Sequence, residues 1–172
     1  MILLTGFGPF MDVVDNPSAA LARELDGARV GGATVVGEVL EVSYSAAPKR
    51  VIDLARAFRP LLVLGTGVAR TRQEPQLERF GRGGTPVGLD VKGRCPESLG
   101  EGRYECSFAA EAAAALGVGL SEDAGRYVCN AWLYSVGRGM KRPVAFLHIP
   151  PAGMDPGRLL KGLGRLLPLL RG

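Results

Sequence analysis

A three-layer α/β/α sandwich around a mainly parallel, twisted central sheet is the fold that this 172-residue sequence predicts, on three observations. Apolar strand candidates alternate with helical patterns along the whole chain, the pattern of strands joined by crossover helices. The strand candidates are short and bounded by Gly, Pro or polar residues. The length matches one domain with its own core, so residues 1–172 are expected to form a single α/β unit.

In chain order, the strand candidates are Ile2 to Thr5, Ala33 to Val42, Leu61 to Gly65, Gly117 to Ser121 and Pro143 to Ile149. Between the first two, Asn16-Pro17 opens a helix, with Asn as N-cap and Pro at the first helical position. Further helices are expected over Ala46 to Phe58, with Pro60 just beyond as a stop, over Phe108 to Leu116, and over Tyr127 to Val136. The last begins at Asp155-Pro156 and aligns Leu159, Leu160, Leu163, Leu166, Leu167 and Leu170 on one stripe for packing against the sheet. The stretch from Phe80 to Gly102 is crowded with glycines and shows little periodicity, so a loop or hairpin is expected there, plain and mobile or serving as a lid.

Composition narrows the function. Hydrophobic residues at 47% and charged residues at 22% are those of an ordinary soluble chain, which excludes disorder and fibrous classes. No apolar run reaches the ~18 to 20 residues of a membrane span, and the N-terminus lacks a basic leader region, so no membrane partner and a cytoplasmic location are expected. The net charge of +4 comes from scattered arginines without a basic run, and with aromatics at 6% there is little for bases to stack on, so no nucleic-acid partner is expected. Cys95, Cys106 and Cys129 form an odd set without a C-x-x-C pair, which supports neither a disulfide framework nor a thiolate metal site. The stretch Gly65-Thr66-Gly67-Val68-Ala69-Arg70 lacks the third glycine of a dinucleotide fingerprint, and no phosphate-loop motif is present.

The chemistry concentrates at two points. Cys129 follows a Gly turn near the start of a helix, where partial positive charge and free N–H groups favour a thiolate and can hold an oxyanion. His148, the only histidine, ends an apolar strand, where open α/β sheets place their reactive groups. A thiol and an imidazole together make a nucleophile and its base, and such pairs use a third group to orient the ring. Composition alone does not choose that third group among the chain's carboxylates.

The stretch Ser121-Glu122-Asp123-Ala124-Gly125-Arg126-Tyr127-Val128-Cys129-Asn130 resembles the nucleophile signature of the pyrrolidone carboxyl peptidases, also called pyroglutamyl peptidase I. Three more stretches resemble the same family in the same order: Thr5 to Phe10 followed by Asn16-Pro17, Gly67 to Glu78-Arg79, and Phe146 to Pro150. The resemblance implies Cys129 as nucleophile, His148 as general base and then acid, and Glu78 as the group orienting His148. It implies a substrate side at Phe7, Phe10 and Asn16, N-terminally pyroglutamylated peptides as substrates, no metal or organic cofactor, and assembly as a homo-oligomer, dimer or tetramer.

The chain also departs from the family pattern. Pro75-Gln76 stand where an aliphatic residue and a hydroxyl are usual, and Phe80-Gly81-Arg82-Gly83 replace an apolar residue, Ala and a following Asn. Val87 to Gly93 replace a segment whose arginine is thought to help the oxyanion, leaving Arg82 or Arg70 as stand-ins. The chain is short for the family in this region and after Ile149-Pro150. Two rivals therefore stay open: a redirected cysteine amidase, and a ligand-binding relative without turnover.

Overall fold

The computed structural model describes residues 1–171; Gly172, the last residue of the expected 1–172 domain, lies outside them. The elements run β1 (Ile2–Phe7), α1 (Pro17–Leu25), β2 (Arg29–Val30), β3 (Ala33–Leu40), α2 (Ala46–Phe58), β4 (Leu62–Val68), β5 (Gln76–Glu78), β6 (Phe80–Arg82), β7 (Arg103–Glu105), α3 (Ala109–Leu116), β8 (Gly119–Ser121), α4 (Val128–Gly139), β9 (Val144–Ile149) and α5 (Pro156–Arg171). Seven strands form one sheet in the order β2-β3-β1-β4-β9-β5-β8. Its centre, β3-β1-β4-β9, is parallel, as the alternation of strands and helices requires. β5 runs antiparallel to β9 and parallel to β8, and β2 is antiparallel to β3.

The inner strands β1 and β9 are buried along their whole length, the mark of a sheet covered on both faces. Alternate residues feed two cores. Ile2, Leu4, Leu62, Leu64, Ala145 and Leu147 pack under α1, α3 and α5, whereas Leu3, Val63, Val144 and Phe146 pack under α2 and α4 with Trp132. Asn16 caps α1 as expected, its Oδ1 accepting from the Ser18 N–H, with Pro17 as the first helical residue. In α5, Leu159, Leu163, Leu166 and Leu167 are buried, while Leu160 and Leu170 sit at the edge of the stripe. Among the described residues no helix is long and apolar enough to cross a membrane.

Several boundaries differ from the sequence expectation by one to three residues. Phe108 and Tyr127 are N-caps rather than first helical residues, and β1 and β4 continue to Phe7 and Val68. The short strand β5 was not expected, because three residues after a proline carry no readable period.

The Phe80–Gly102 stretch supplies β6 of a hairpin closed by β7 just beyond it, and hydrogen bonds tether the long connection between them. The Arg126 guanidinium donates to the Thr85 carbonyl at 2.6 and 3.1 Å, and Tyr44 and Tyr127 donate their hydroxyls to Gly88 and Leu89. Asp90, buried, accepts from the N–H groups of Tyr44, Lys92 and Arg94. Burial pushes its carboxyl up, and those three donors outweigh that and hold it below the usual range. Asn130 on α4 clamps the base of the hairpin, exchanging 2.8 Å hydrogen bonds with both the N–H and the carbonyl of Arg82.

Candidate active site

The C-terminal ends of β1, β4 and β9 and the start of α4 converge on a cavity of about 300 Å³, lined among others by Phe7, Phe10, Asn16, Tyr127, Cys129 and His148. Five of the six site residues expected from the sequence thus share one cavity. The sixth, Glu78, lies behind His148, fully buried.

Sheet register explains how Glu78 meets His148. β5 is antiparallel to β9, with Gln76 opposite His148 and Glu78 opposite Phe146. Residues two apart share a face, so Glu78 is the diagonal neighbour of His148, a spacing that a glutamate and an imidazole can bridge. His148 Nδ1 lies 2.7 Å from Glu78 Oε1. An ionised carboxylate at this distance selects the tautomer with its proton on Nδ1, the one that leaves Nε2 available as a base. Burial pushes the Glu78 carboxyl up, but the bond to His148, the Ser121 hydroxyl and the Arg72 cation together hold it below the ordinary range. The ring edge of His148 also meets Phe146, centroids 5.0 Å apart, which fixes its plane.

Cys129 is the second residue of α4, and the N-cap, Tyr127, supplies no side-chain cap. The first-turn N–H groups of such a helix are donors without intrahelical partners. The thiol comes down on β4 at Gly67, which pairs in register with His148. A Cβ at Gly67 would lie 2.8 Å from Cys129 Sγ, so the absence of a side chain there makes room for the sulfur.

The expectation of a lowered thiol pKa is not met. Burial pushes the Cys129 thiol up to about 12, and the Glu78 charge adds to this, outweighing its own backbone N–H and Arg72. That upward push makes proton removal by a neighbouring base part of any nucleophilic role for Cys129.

Phe7 and Phe10 form an apolar wall of the cavity, extended by Val42, Val68 and Tyr127; the Phe10 and Tyr127 rings lie 6.3 Å apart. Asn16 touches the cavity, but its carboxamide is already used: Nδ2 donates to the Gly8 carbonyl and Oδ1 accepts from Ser18 N and Oγ. Of the two stand-in arginines, Arg70 lines the cavity and pairs with Asp12, whereas Arg82 lines a neighbouring depression and donates to the Glu122 carbonyl. Among the described residues no cluster of three or more His, Cys, Asp or Glu is arranged to hold a metal ion.

Arg72, which sequence reasoning passed over, lies 2.6 Å from Glu78 Oε1. The only signal was a basic residue in the same short segment, and sequence alone does not separate it from Arg70 or Arg79. Arg79, adjacent to Glu78 in the chain, turns outward to Glu105 and Glu122.

A parallel-centred α/β sheet with a cysteine, a histidine and a glutamate brought together at its strand ends belongs to the class of cysteine hydrolase folds. The family model described as pyroglutamyl peptidase matches residues 1–83. The pyrrolidone-carboxylate peptidase of Cupriavidus taiwanensis is 31% identical over 196 aligned positions, covering 94% of this chain and 88% of that protein. The same-named protein of Saccharolobus islandicus is 30% identical, covering 87% and 78%. Among solved structures, pyrrolidone carboxyl peptidase from Pyrococcus furiosus superposes with a TM-score of 0.83 at 22% identity, covering 99% of this chain and 97% of that one. Pyroglutamyl peptidase I from Bacillus amyloliquefaciens gives 0.84 at 22% identity, covering 95% and 91%. The chain belongs to the pyrrolidone-carboxylate peptidase family.

Proposed function

We propose that this protein is a cysteine exopeptidase that removes an N-terminal pyroglutamyl residue from peptides by acyl transfer to Cys129. The observation that carries the reading is one cavity lined by Cys129 and His148 together with the apolar Phe7 and Phe10, with Glu78 2.7 Å from His148 Nδ1. A pyroglutamyl ring is flat and uncharged, so an apolar aromatic wall receives it without stranding an ion, whereas a free amino terminus would have to be desolvated there. Asn16 supports this wall by fixing the turn that carries Phe7 and Phe10.

His148 Nε2 takes the thiol proton as Sγ attacks the pyroglutamyl carbonyl, and Glu78 stabilises the imidazolium that forms. First-turn N–H groups of α4 are the nearest preorganised donors for the tetrahedral oxyanion. Collapse of the intermediate breaks the C–N bond, and the imidazolium protonates the departing amine. Water then gives a proton to His148, attacks the thioester and releases pyroglutamate, returning the proton to sulfur. These steps call on no metal or organic cofactor.

Residues 1–172 are read as one domain, because both cores share one sheet, and the cytoplasm is the compartment that fits three thiols without a disulfide partner. Hydrolysis of a fluorogenic pyroglutamyl amide by the wild type and Cys129→Ser tests the function. Turnover that vanishes in the variant supports it; a folded wild type without turnover overturns it and favours a redirected amidase or ligand-binding relative.

A further inference from the structure

Glu78 is a fully buried carboxylate, and its neighbours carry an asymmetry that the mechanism above leaves unused. Its Oε1 receives two partners, His148 Nδ1 at 2.7 Å and Arg72 Nη1 at 2.6 Å, while Oε2 is buried without an aligned donor. His148 meets Oε1 through Nδ1, and Arg72 brings a permanent positive charge to the same oxygen. A buried charge without a partner is strongly disfavoured. The contact is an ion pair rather than an aligned hydrogen bond, since Nη1 is not directed along an N–H. The aligned donors of Arg72 go elsewhere: Nη2 donates to Ser121 Oγ at 3.0 Å and to the Asp123 carbonyl at 2.9 Å. Ser121 ends β8, and Asp123 lies in the turn that leads into α4 and Cys129.

We infer that Arg72 is a positioning residue for the reaction: one guanidinium holds Glu78 against His148 and ties that pair to the segment delivering Cys129. The planar fork suits this task, because it reaches a carboxylate, a hydroxyl and a carbonyl at once. A lysine in its place keeps the charge at Glu78 but loses the tie to Ser121 and Asp123. The inference rests on the peptidase reading for its kinetic consequences, but its structural consequence does not depend on turnover.

The test therefore has two readouts. Pyroglutamyl-amide hydrolysis is measured for wild type, R72M, E78Q and the double variant. R72M should lower kcat on the order of 10²-fold, the scale of a 1 Å misplacement, with KM changed less than about threefold. In the E78Q background the same substitution should cost less than about threefold, because its action runs through the carboxylate. Equal losses in both backgrounds, or a loss confined to KM, would mean that Arg72 merely supports the loop. Independently, His148 is the only histidine, so its ring nitrogen resonances report one site. The wild type should show the Nδ1-protonated tautomer and R72M a mixture of the two; an unchanged tautomer overturns the inference. Should R72M not fold, R72K is measured instead: reduced kcat at constant KM is expected, and wild-type kcat with wild-type tautomer refutes the role. A wild type that turns nothing over sinks the peptidase reading, while the tautomer comparison still decides on Arg72.

Discussion

Gly67→Ala should separate the nucleophile's seat from the general packing of the sheet. The added Cβ would lie 2.8 Å from Cys129 Sγ and 3.0 Å from Phe146 Cζ. Unstrained contacts between such atoms begin at about 3.5 to 4.0 Å, so the sulfur must retreat by roughly 1 Å. Overpacking of this kind costs about 1–3 kcal/mol of stability. A reacting atom displaced by that distance costs on the order of 10²-fold in kcat/KM. Gly65→Ala is the matched control, on the same strand and face: its Cβ would meet Phe146 Cδ2 at 2.5 Å and Trp132 Cη2 at 2.8 Å, but no reacting atom. Urea unfolding should show losses of similar size in both variants. Pyroglutamyl-amide hydrolysis, together with the iodoacetamide alkylation rate of Cys129, should fall about tenfold further in Gly67→Ala than in Gly65→Ala. The reasoning fails if Gly67→Ala is destabilised yet reacts at the wild-type rate, or if the control loses as much activity.

Three other outcomes are expected. Asn16→Ala removes the α1 cap together with the bond to Gly8, and should cost about 1–2 kcal/mol in denaturant unfolding while raising KM more than it lowers kcat; a change in kcat alone would detach Asn16 from the Phe7–Phe10 wall. Burial pushes the Cys106 thiol from 9.0 up to about 12, so the stability it confers is complete below pH 9.0 and is lost as pH rises towards 12. At pH 10 this amounts to roughly 1 kcal/mol, and Cys106→Ala should flatten that alkaline slope between pH 8 and 10; an identical slope would show that the thiol does not titrate on unfolding. Asp90 is held below the usual carboxylate range, so its contribution is present above that range and lost as pH falls through its folded-state value. Asp90→Asn should unfold less steeply with acid than the wild type, which acid-titration fluorescence can follow, and an unchanged acid limb would argue against the loop tether.

The parts of the fold that sequence made legible were those with a period or a stop signal. Helix α2 runs over the expected Ala46–Phe58, because an amphipathic pattern ends at Pro60. Cys129 and His148 were legible because a reactive residue type stood at a chemically favoured position. Glu78 was reached only through resemblance, since its role is fixed by the pairing of β5 with β9, a contact between residues 70 apart that leaves no local trace. Arg72 was missed for the same reason. The helix start at Cys129 can be read from sequence, whereas the surrounding packing that pushes its thiol up cannot.

The antiparallel step between β5 and β9 also bears on how this chain can change length. Side chains in a strand alternate in facing, so inserting or deleting one residue before Glu78 within β5 would turn its carboxylate to the opposite core, while a change of two would restore its facing but shift its rung. Connections outside the ladder are under no such parity rule. Evolution can therefore trim the stretch between β6 and β7, or the turn after β9, residue by residue without disturbing the hydrogen bond between Glu78 and His148. That freedom marks those two connections as the places where deletions should be tolerated first.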